Sequence, residues 1–442
     1  MSETKRLQAL GIAPADILLP REGIDMRRWA AIACDQYSSE PDYWDRAFAF
    51  VGDSPSALKL IIPEAYLETP RGEAMQQSTI DEMDACLVAG VLREIPESFV
   101  YVERRTPHAE CRRGLVAAFD LDKYDFAPGN PMPIRATEGT ILARIPPRMA
   151  VRRRAALECP HVMILIDDPG RTVIEPLAQQ KDAMERLYAT ELMAGAGGVS
   201  GWRVHGDERF AAIAGALEAL AAINEGKDPP LATRPPINGG KGMLFAVGDG
   251  NHSLATAKAC WEELKPGLTE AEREIHPARW ALAELVNLHD QGLAFHPIHR
   301  VVFHADPVEL VALLLWEMNK RGWKATMGAE PAGGQSIEYS CALDHGWINV
   351  AASACPLATG TLQQALDAVL PLVAGATVDY VHGAAAAVAL GHREGNTAFL
   401  LQAMDKAELF PAVKRLGVLP RKAFSMGEAD EKRFYLECRR IR

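Results

Sequence analysis

Residues 241–265, KGMLFAVGDGNHSLATAKACWEELK, constrain the fold more than any other stretch. A short apolar run at 243–247 breaks at Gly248-Asp249-Gly250. It continues as a helix pattern in which Ala255, Ala257, Ala259, Trp261 and Leu264 include the i, i+3, i+4 spacings of a packed helix. A strand, a two-glycine turn and a helix start bring particular chemistry together. The glycines let the backbone turn sharply and approach a ligand closely. The first helical N–H groups have no intrahelical partner, and the helix dipole favours an anion there. Asp249, Asn251, His252 and Ser253 lie on this turn, and each suits a phosphate, a metal or a substrate hydroxyl. The same pattern also fits a purely structural turn in which Asp, Asn or Ser caps the helix. It is neither a Walker loop, since no Gly-Lys-Ser/Thr follows, nor a dinucleotide fingerprint, since the third glycine is missing.

A chain of 442 residues is long for one core, so two or more lobes are expected. The formal net charge of -11 argues against broad nucleic-acid or anionic-membrane binding. The eight cysteines form no C-x-x-C pair, which disfavours a zinc ribbon or a thioredoxin-type site. Residues 1–20 show no apolar signal core and no apolar run is long enough to span a bilayer, so a cytoplasmic compartment is the expectation.

The pattern along the chain predicts a mixed α/β main domain over 1–303 and a smaller α+β lobe over 304–442. Strands are expected at 29–34, 58–62, 99–103, 115–119 and 162–166, and helices at 42–50, 73–92, 175–193 and 207–224. The glycine-rich run 195–201 follows a predicted helix and is read as a flexible C-cap and turn. Residues 225–241 are rich in Pro and Gly and predict a surface loop, and 270–288 look helical with a break at Pro277.

Two further clusters carry chemistry. Asp35 sits just past a predicted strand, where α/β proteins place functional groups. Residues 131–154 hold Arg135, Arg144, Arg148, Arg152, Arg153 and Arg154 in an otherwise acidic chain, with Arg135, Thr137 and Glu138 packed together. Guanidinium groups suit phosphate or carboxylate, and Glu138 among arginines stays ionised, as a metal ligand or base must; paired surface arginines would look the same. His289, Asp290, His296, His299 and Arg300 form a second group whose spacing is not that of a helical zinc site.

With these residues in hand, the chain resembles a bacterial and archaeal family known as domain of unknown function 1015. The likeness rests on CDQY with Tyr43-Trp44, IRATEGTI, PHVMILIDDP, GDGNHSLATAKA, Asp290 to His299-Arg300, DYVHG and LPRKAFSM, and covers nearly the whole chain. The family's usual turn, Asp-Gly-His-His-Arg, is similar to that of ParB-like folds, which include sulfiredoxin and a free-serine kinase and hold nucleotide phosphates there. Asp249, Gly250 and His252 match that form, whereas Asn251 and Ser253 depart from it, the latter replacing the Arg.

This likeness implies a ParB/sulfiredoxin-like nucleotide-binding element within the larger chain. The combined expectation is a phosphotransferase that binds Mg²⁺ and a nucleotide, ADP or ATP, and acts on a small hydroxyl-bearing metabolite. Gly248, Gly250, Asn251, Ser253, Arg135, Thr137, His299 and Arg300 would bind the nucleotide. Asp249 would hold the metal or the substrate hydroxyl, His252 would touch phosphate or move a proton, and Glu138 or Asp35 would be the base. Nucleic acid is not an expected partner, and an oligomer is compatible with the sequence. Two alternatives remain: a non-catalytic ligand or nucleotide sensor in the same pocket, and a metal-dependent hydrolase built on His289, Asp290, His296 and His299.

Overall fold

The computed structural model describes residues 1–67, 69–224 and 242–442; the loop expected at 225–241 lies outside the described residues. Two compact units form, Met1–Leu293 with Gly427–Arg442, and Ala294–Met426. Both mix helices and strands. The division expected at 303/304 falls instead at 293/294, because strand Ile298–Phe303 pairs with Thr377–His382 and Thr397–Leu400 in the second unit's sheet. The expected 304–442 lobe also loses its last sixteen residues. Phe434–Tyr435 pairs with Ala31–Ile32, and Arg439–Arg440 with Leu157–Glu158, so the carboxy-terminal segment is woven into the first unit.

The first unit is built on one large sheet. Its strands are β1 (Leu92–Arg105), β2 (Arg112–Asp120), β3 (Tyr124–Asp125), β4 (Ile134–Ala136), β5 (Met163–Ile166), β6 (Arg186–Glu191), β7 (Gly198–Val204), β8 (Phe245–Asp249) and β9 (Trp280–Asn287). They lie in the order β6-β7-β1-β2-β9-β5-β8-β4-β3, with two amino-terminal strands added on β1 and β2. Alternation along each strand divides two cores. Val100, Val102, Val116 and Ala118 face helix α1 (Pro41–Val51), helix α2 (Pro70–Val88) and the apolar residues of the carboxy-terminal segment. Phe99, Tyr101, Leu115 and Ala117 face the other core, which takes Phe210, Ile213 and Leu217 of a long helix, Asp207–Asn224, and Leu254 and Trp261 of the helix that follows β8.

Several expected elements differ, each for a local reason. Residues 280–287 form a central strand, not a helix; β9 is covered on both faces, so its apolar run lacks the alternation that marks a strand. The helix expected over 175–193 stops at Gln180, and 186–191 become β6, which pairs with β7 as a hairpin. The run 195–201 is therefore no flexible cap: 195–197 finish the tight hairpin turn and 198–201 already belong to β7. A Cβ at Gly201 would stand 2.3 Å from the ring of Tyr188, so only glycine fits beneath it. Residues 57–60 coil as a 3-10 turn where a strand was expected, and only Ala31–Ile32 of the 29–34 run is extended.

The second unit carries a six-stranded sheet of β10 (Ile298–Phe303), β11 (Ala325–Gly328), β12 (Gln335–Ser340), β13 (His345–Val350), β14 (Thr377–His382) and β15 (Thr397–Leu400), in the order β11-β13-β12-β15-β10-β14. Helices Pro307–Lys320 and Ala358–Val369 pack on it around Leu310, Leu314, Leu362 and Leu366.

Candidate functional site

The turn after β8 lies where two parallel strands end together. β8 pairs with β4 in parallel, Phe245 opposite Ile134 and Val247 opposite Ala136, so the two chains part at the same edge, while Asp249, past a register shift at Gly248, still pairs with Met163 of β5. Carboxyl ends of parallel strands are where open α/β sheets bind ligands. Two contacts then fasten the emerging loops. Thr137 Oγ1 donates to Val247 O at 2.6 Å, and the Ile141 N–H donates to His252 Nε2 at 3.2 Å. The RATEGT and GDGNHS stretches thus form one place, with Thr137 fully buried and Glu138 half-buried on the loop between.

The helix after the turn is Asn251–Leu264. Its N-cap is Gly250, with φ 76, and no side chain caps it. Asp249 Oδ1 accepts the Gly250 N–H at 3.0 Å, outside the helix. The capping alternative for Asp249, Asn251 and Ser253 is therefore not what these side chains do. Glycine is required at 250: beyond its left-handed φ, a Cβ there would lie 3.1 Å from Val162 and 3.3 Å from His161. Among the described residues, Asn251 Oδ1 and Thr140 Oγ1 are buried without a hydrogen-bond partner. Buried polar atoms are nearly always paired, and both lie on the two loops just described.

The carboxy-terminal segment completes the place. Lys432 Nζ pairs with Asp249 Oδ2 at 3.0 Å. Burial pushes the Asp249 carboxyl up, but Lys432 above all, with the Gly250 N–H, outweighs it and holds the group below its usual range. Tyr435 Oη accepts the Cys34 N–H at 3.1 Å, which leaves its own O–H to donate to His161 Nδ1 at 2.7 Å. Burial pushes that phenol well above its usual range, so it stays protonated. The His161 ring proton then sits on Nε2, which faces Asp35 Oδ2 at 3.7 Å. Asp35 and Asp249 thus both converge on His161.

The other expected residues are placed as follows. Arg135 is buried in β4, with Nε donating back to Met132 O at 2.7 Å. Four of the five other arginines of that cluster are spent on partners: Arg148 on Glu64, Arg152 on Glu158 at 2.6 Å, Arg153 on Glu263 at 2.8 Å and Arg154 on Gln77 at 2.6 Å. His299 and Arg300 belong to the second unit. His299 Nδ1 accepts the Leu401 N–H, and the fully buried Arg300 donates to the carbonyls of Ile298, Arg421 and Lys422. Those donors hold a loop of their own unit. His289 is bonded to Asp167 at 2.8 Å, and Asp290 accepts the Gly292 N–H at 2.7 Å. His289 and Asp290 lie in the first unit and His296 and His299 in the second. Sequence reasoning missed Lys432, His161 and Tyr435. The available signal was a Lys-Arg pair set directly against the apolar run Phe434-Tyr435-Leu436.

Fold and place together define a mixed α/β protein with a polar site at the carboxyl edge of its sheet. The model of the family described as "Protein of unknown function (DUF1015)" matches residues 18–369, about four-fifths of the chain, and the chain belongs to that family. No curated protein matches the sequence. Among solved structures, a free serine kinase mutant in complex with ADP is 10% identical over 74% of this chain and 92% of its own, with a TM-score of 0.39. A conserved hypothetical protein from Pyrococcus furiosus is 11% identical over 71% and 90%, with a TM-score of 0.34. SbnI from Staphylococcus aureus is 9% identical over 71% and 82%, also at 0.34. Likenesses this slight carry no weight for function. No helix among the described residues is long and apolar enough to cross a membrane.

Proposed function

We propose that the first unit binds a nucleotide with Mg²⁺ at the start of helix Asn251–Leu264 and moves a phosphoryl group between it and the hydroxyl of a small metabolite. The observation that carries this reading is the uncapped helix start, flanked by an ionised Asp249 and an ammonium at Lys432. Helix N–H groups and a lysine suit phosphate oxygens. An ionised carboxylate beside the unpartnered Asn251 Oδ1 is the hard oxygen set that Mg²⁺ takes, and bound there the cation supplies charge neutralisation. Nucleotide, rather than bare phosphate, is supported by the resemblance of the turn, in which Asp249, Gly250 and His252 keep the phosphate-holding form.

Asp35 is the base of this proposal. The His161 Nε2–H faces its carboxylate, which takes the acceptor hydroxyl's proton as the oxygen bonds to phosphorus and the bond to the nucleotide's leaving oxygen breaks. Asp35→Asn should lower phosphoryl transfer about 100-fold or more while nucleotide affinity stays within about threefold, since Asp35 does not touch the phosphate site. Phosphorus NMR over a panel of hydroxyl compounds reads the transfer and calorimetry the affinity; undiminished transfer would overturn the role of Asp35. Ser253, standing where the usual turn has Arg, favours a second reading, a sensor that binds the same nucleotide. Tight binding with no transfer to any acceptor would decide for it.

A further inference from the structure

We propose that Cys159 and Cys438 are an oxidisable pair whose disulfide fastens the carboxy-terminal segment to the body of the first unit. Strands Leu157–Glu158 and Arg439–Arg440 run antiparallel with Arg439 opposite Glu158, and one more step of that register sets Cys438 opposite Cys159. The two Sγ atoms are 3.0 Å apart. Directly opposed residues of an antiparallel pair have Cα separations that a disulfide spans without backbone movement. Both backbones are already held. Cys438 exchanges two hydrogen bonds with Leu18, at 2.8 and 2.9 Å, and Arg439 grips Glu158 at 2.8 Å.

The accessibilities suit a two-step exchange. Cys159 is partly exposed and Cys438 is fully buried. A small-molecule disulfide is the oxidant. The Cys159 thiolate attacks one of its sulfurs, expelling the first small thiolate. The Cys438 thiolate then attacks the Cys159 sulfur of the mixed disulfide and expels the second. Two protons and two electrons leave the protein, and the oxidant ends as two thiols. The Cys159 thiol and burial both push Cys438 above its usual range, so the second step quickens as pH rises. The bond closes a loop of 279 residues. It pins the segment that carries Lys432 and Tyr435 to their partners, and it does so whether or not the site binds a nucleotide.

Full-length protein treated with glutathione disulfide at pH 8 should fall from eight free thiols to six. Non-reducing peptide mapping should show the Cys159 and Cys438 peptides joined. The melting temperature should rise by several degrees and return with dithiothreitol. In Cys438→Ser the same treatment should leave glutathione on Cys159 with no gain in melting temperature. Eight surviving thiols, a persistent mixed disulfide on the natural chain, or a link from Cys159 to the nearby buried Cys86 would each overturn the proposal.

Discussion

Arg433→Met should cost the first unit about 3–5 kcal/mol. Arg433 is almost wholly buried and its three donor groups are all engaged. Nη1 meets Glu284, Nη2 meets Glu437 at 2.6 Å, and Nε donates to Pro160 O at 3.1 Å. Glu284 and Glu437 are equally buried. Removing the cation leaves two carboxylates in a site that water does not reach, which costs far more than the pair itself contributes. Burial pushes the Glu284 carboxyl up, but Arg433 and then Arg112 outweigh it and hold it below its usual range. A depressed carboxyl stabilises the fold above its unfolded value, roughly pH 4.3, and that contribution is lost as pH falls through the folded value. The natural chain should therefore lose stability steeply below about pH 4.3, and Arg433→Met should show a shallower acid limb. Urea unfolding between pH 3 and pH 7 checks both. A variant as stable as the natural chain at pH 7 would mean that the carboxylates find other partners.

Lys432→Ala should weaken binding of a Mg²⁺-nucleotide by about 30-fold or more, about 2 kcal/mol at the least. In the ligand-free protein Lys432 neutralises Asp249 at 3.0 Å. With nucleotide bound, the ammonium is free to face phosphate while the Asp249 carboxylate faces the cation. Truncation removes the attraction for phosphate and leaves Asp249 charged, largely buried and repelling the incoming anion. Lys432→Arg should restore part of the affinity, which a merely structural role would not require. Calorimetric titration of the two variants reads this directly. Equal affinity for alanine, arginine and lysine at 432 would remove the residue from the site.

Much of this arrangement was legible in the sequence, and what was not has a physical reason. The strand, turn and helix of 243–264 announced themselves because a buried apolar run, two glycines and a 3.6-residue period leave little choice. The strands at 99–103 and 115–119 were legible as short apolar runs rich in aromatic and β-branched residues. By contrast, β9 hid because its sequence, WALAELVN, is rich in the helix formers Ala, Leu and Glu, and cover on both faces removes the alternation that would mark a strand. The site was half legible. Asp35 and the turn residues follow recognisable apolar runs and Thr137 stood out only as part of the arginine-rich stretch, whereas Lys432 and Tyr435 join the place across a chain separation that periodicity does not encode. The arginine cluster stayed open between an anion site and a paired surface for the complementary reason. Its carboxylate partners Glu64, Glu158 and Glu263 are scattered in sequence, so the cations look concentrated while the charge is locally balanced.

The central claim is that the start of helix Asn251–Leu264 is a phosphate site for a nucleotide. A thermal-shift series with ADP, ATP, CTP and GTP, each with and without Mg²⁺, tests it most directly. At about a hundred times its dissociation constant a nucleotide stabilises the protein by roughly 2.7 kcal/mol. The account predicts a Mg²⁺-dependent rise in melting temperature with at least one nucleotide, abolished by Asp249→Asn. No rise with any of the four, or a rise that survives Asp249→Asn unchanged, would contradict it.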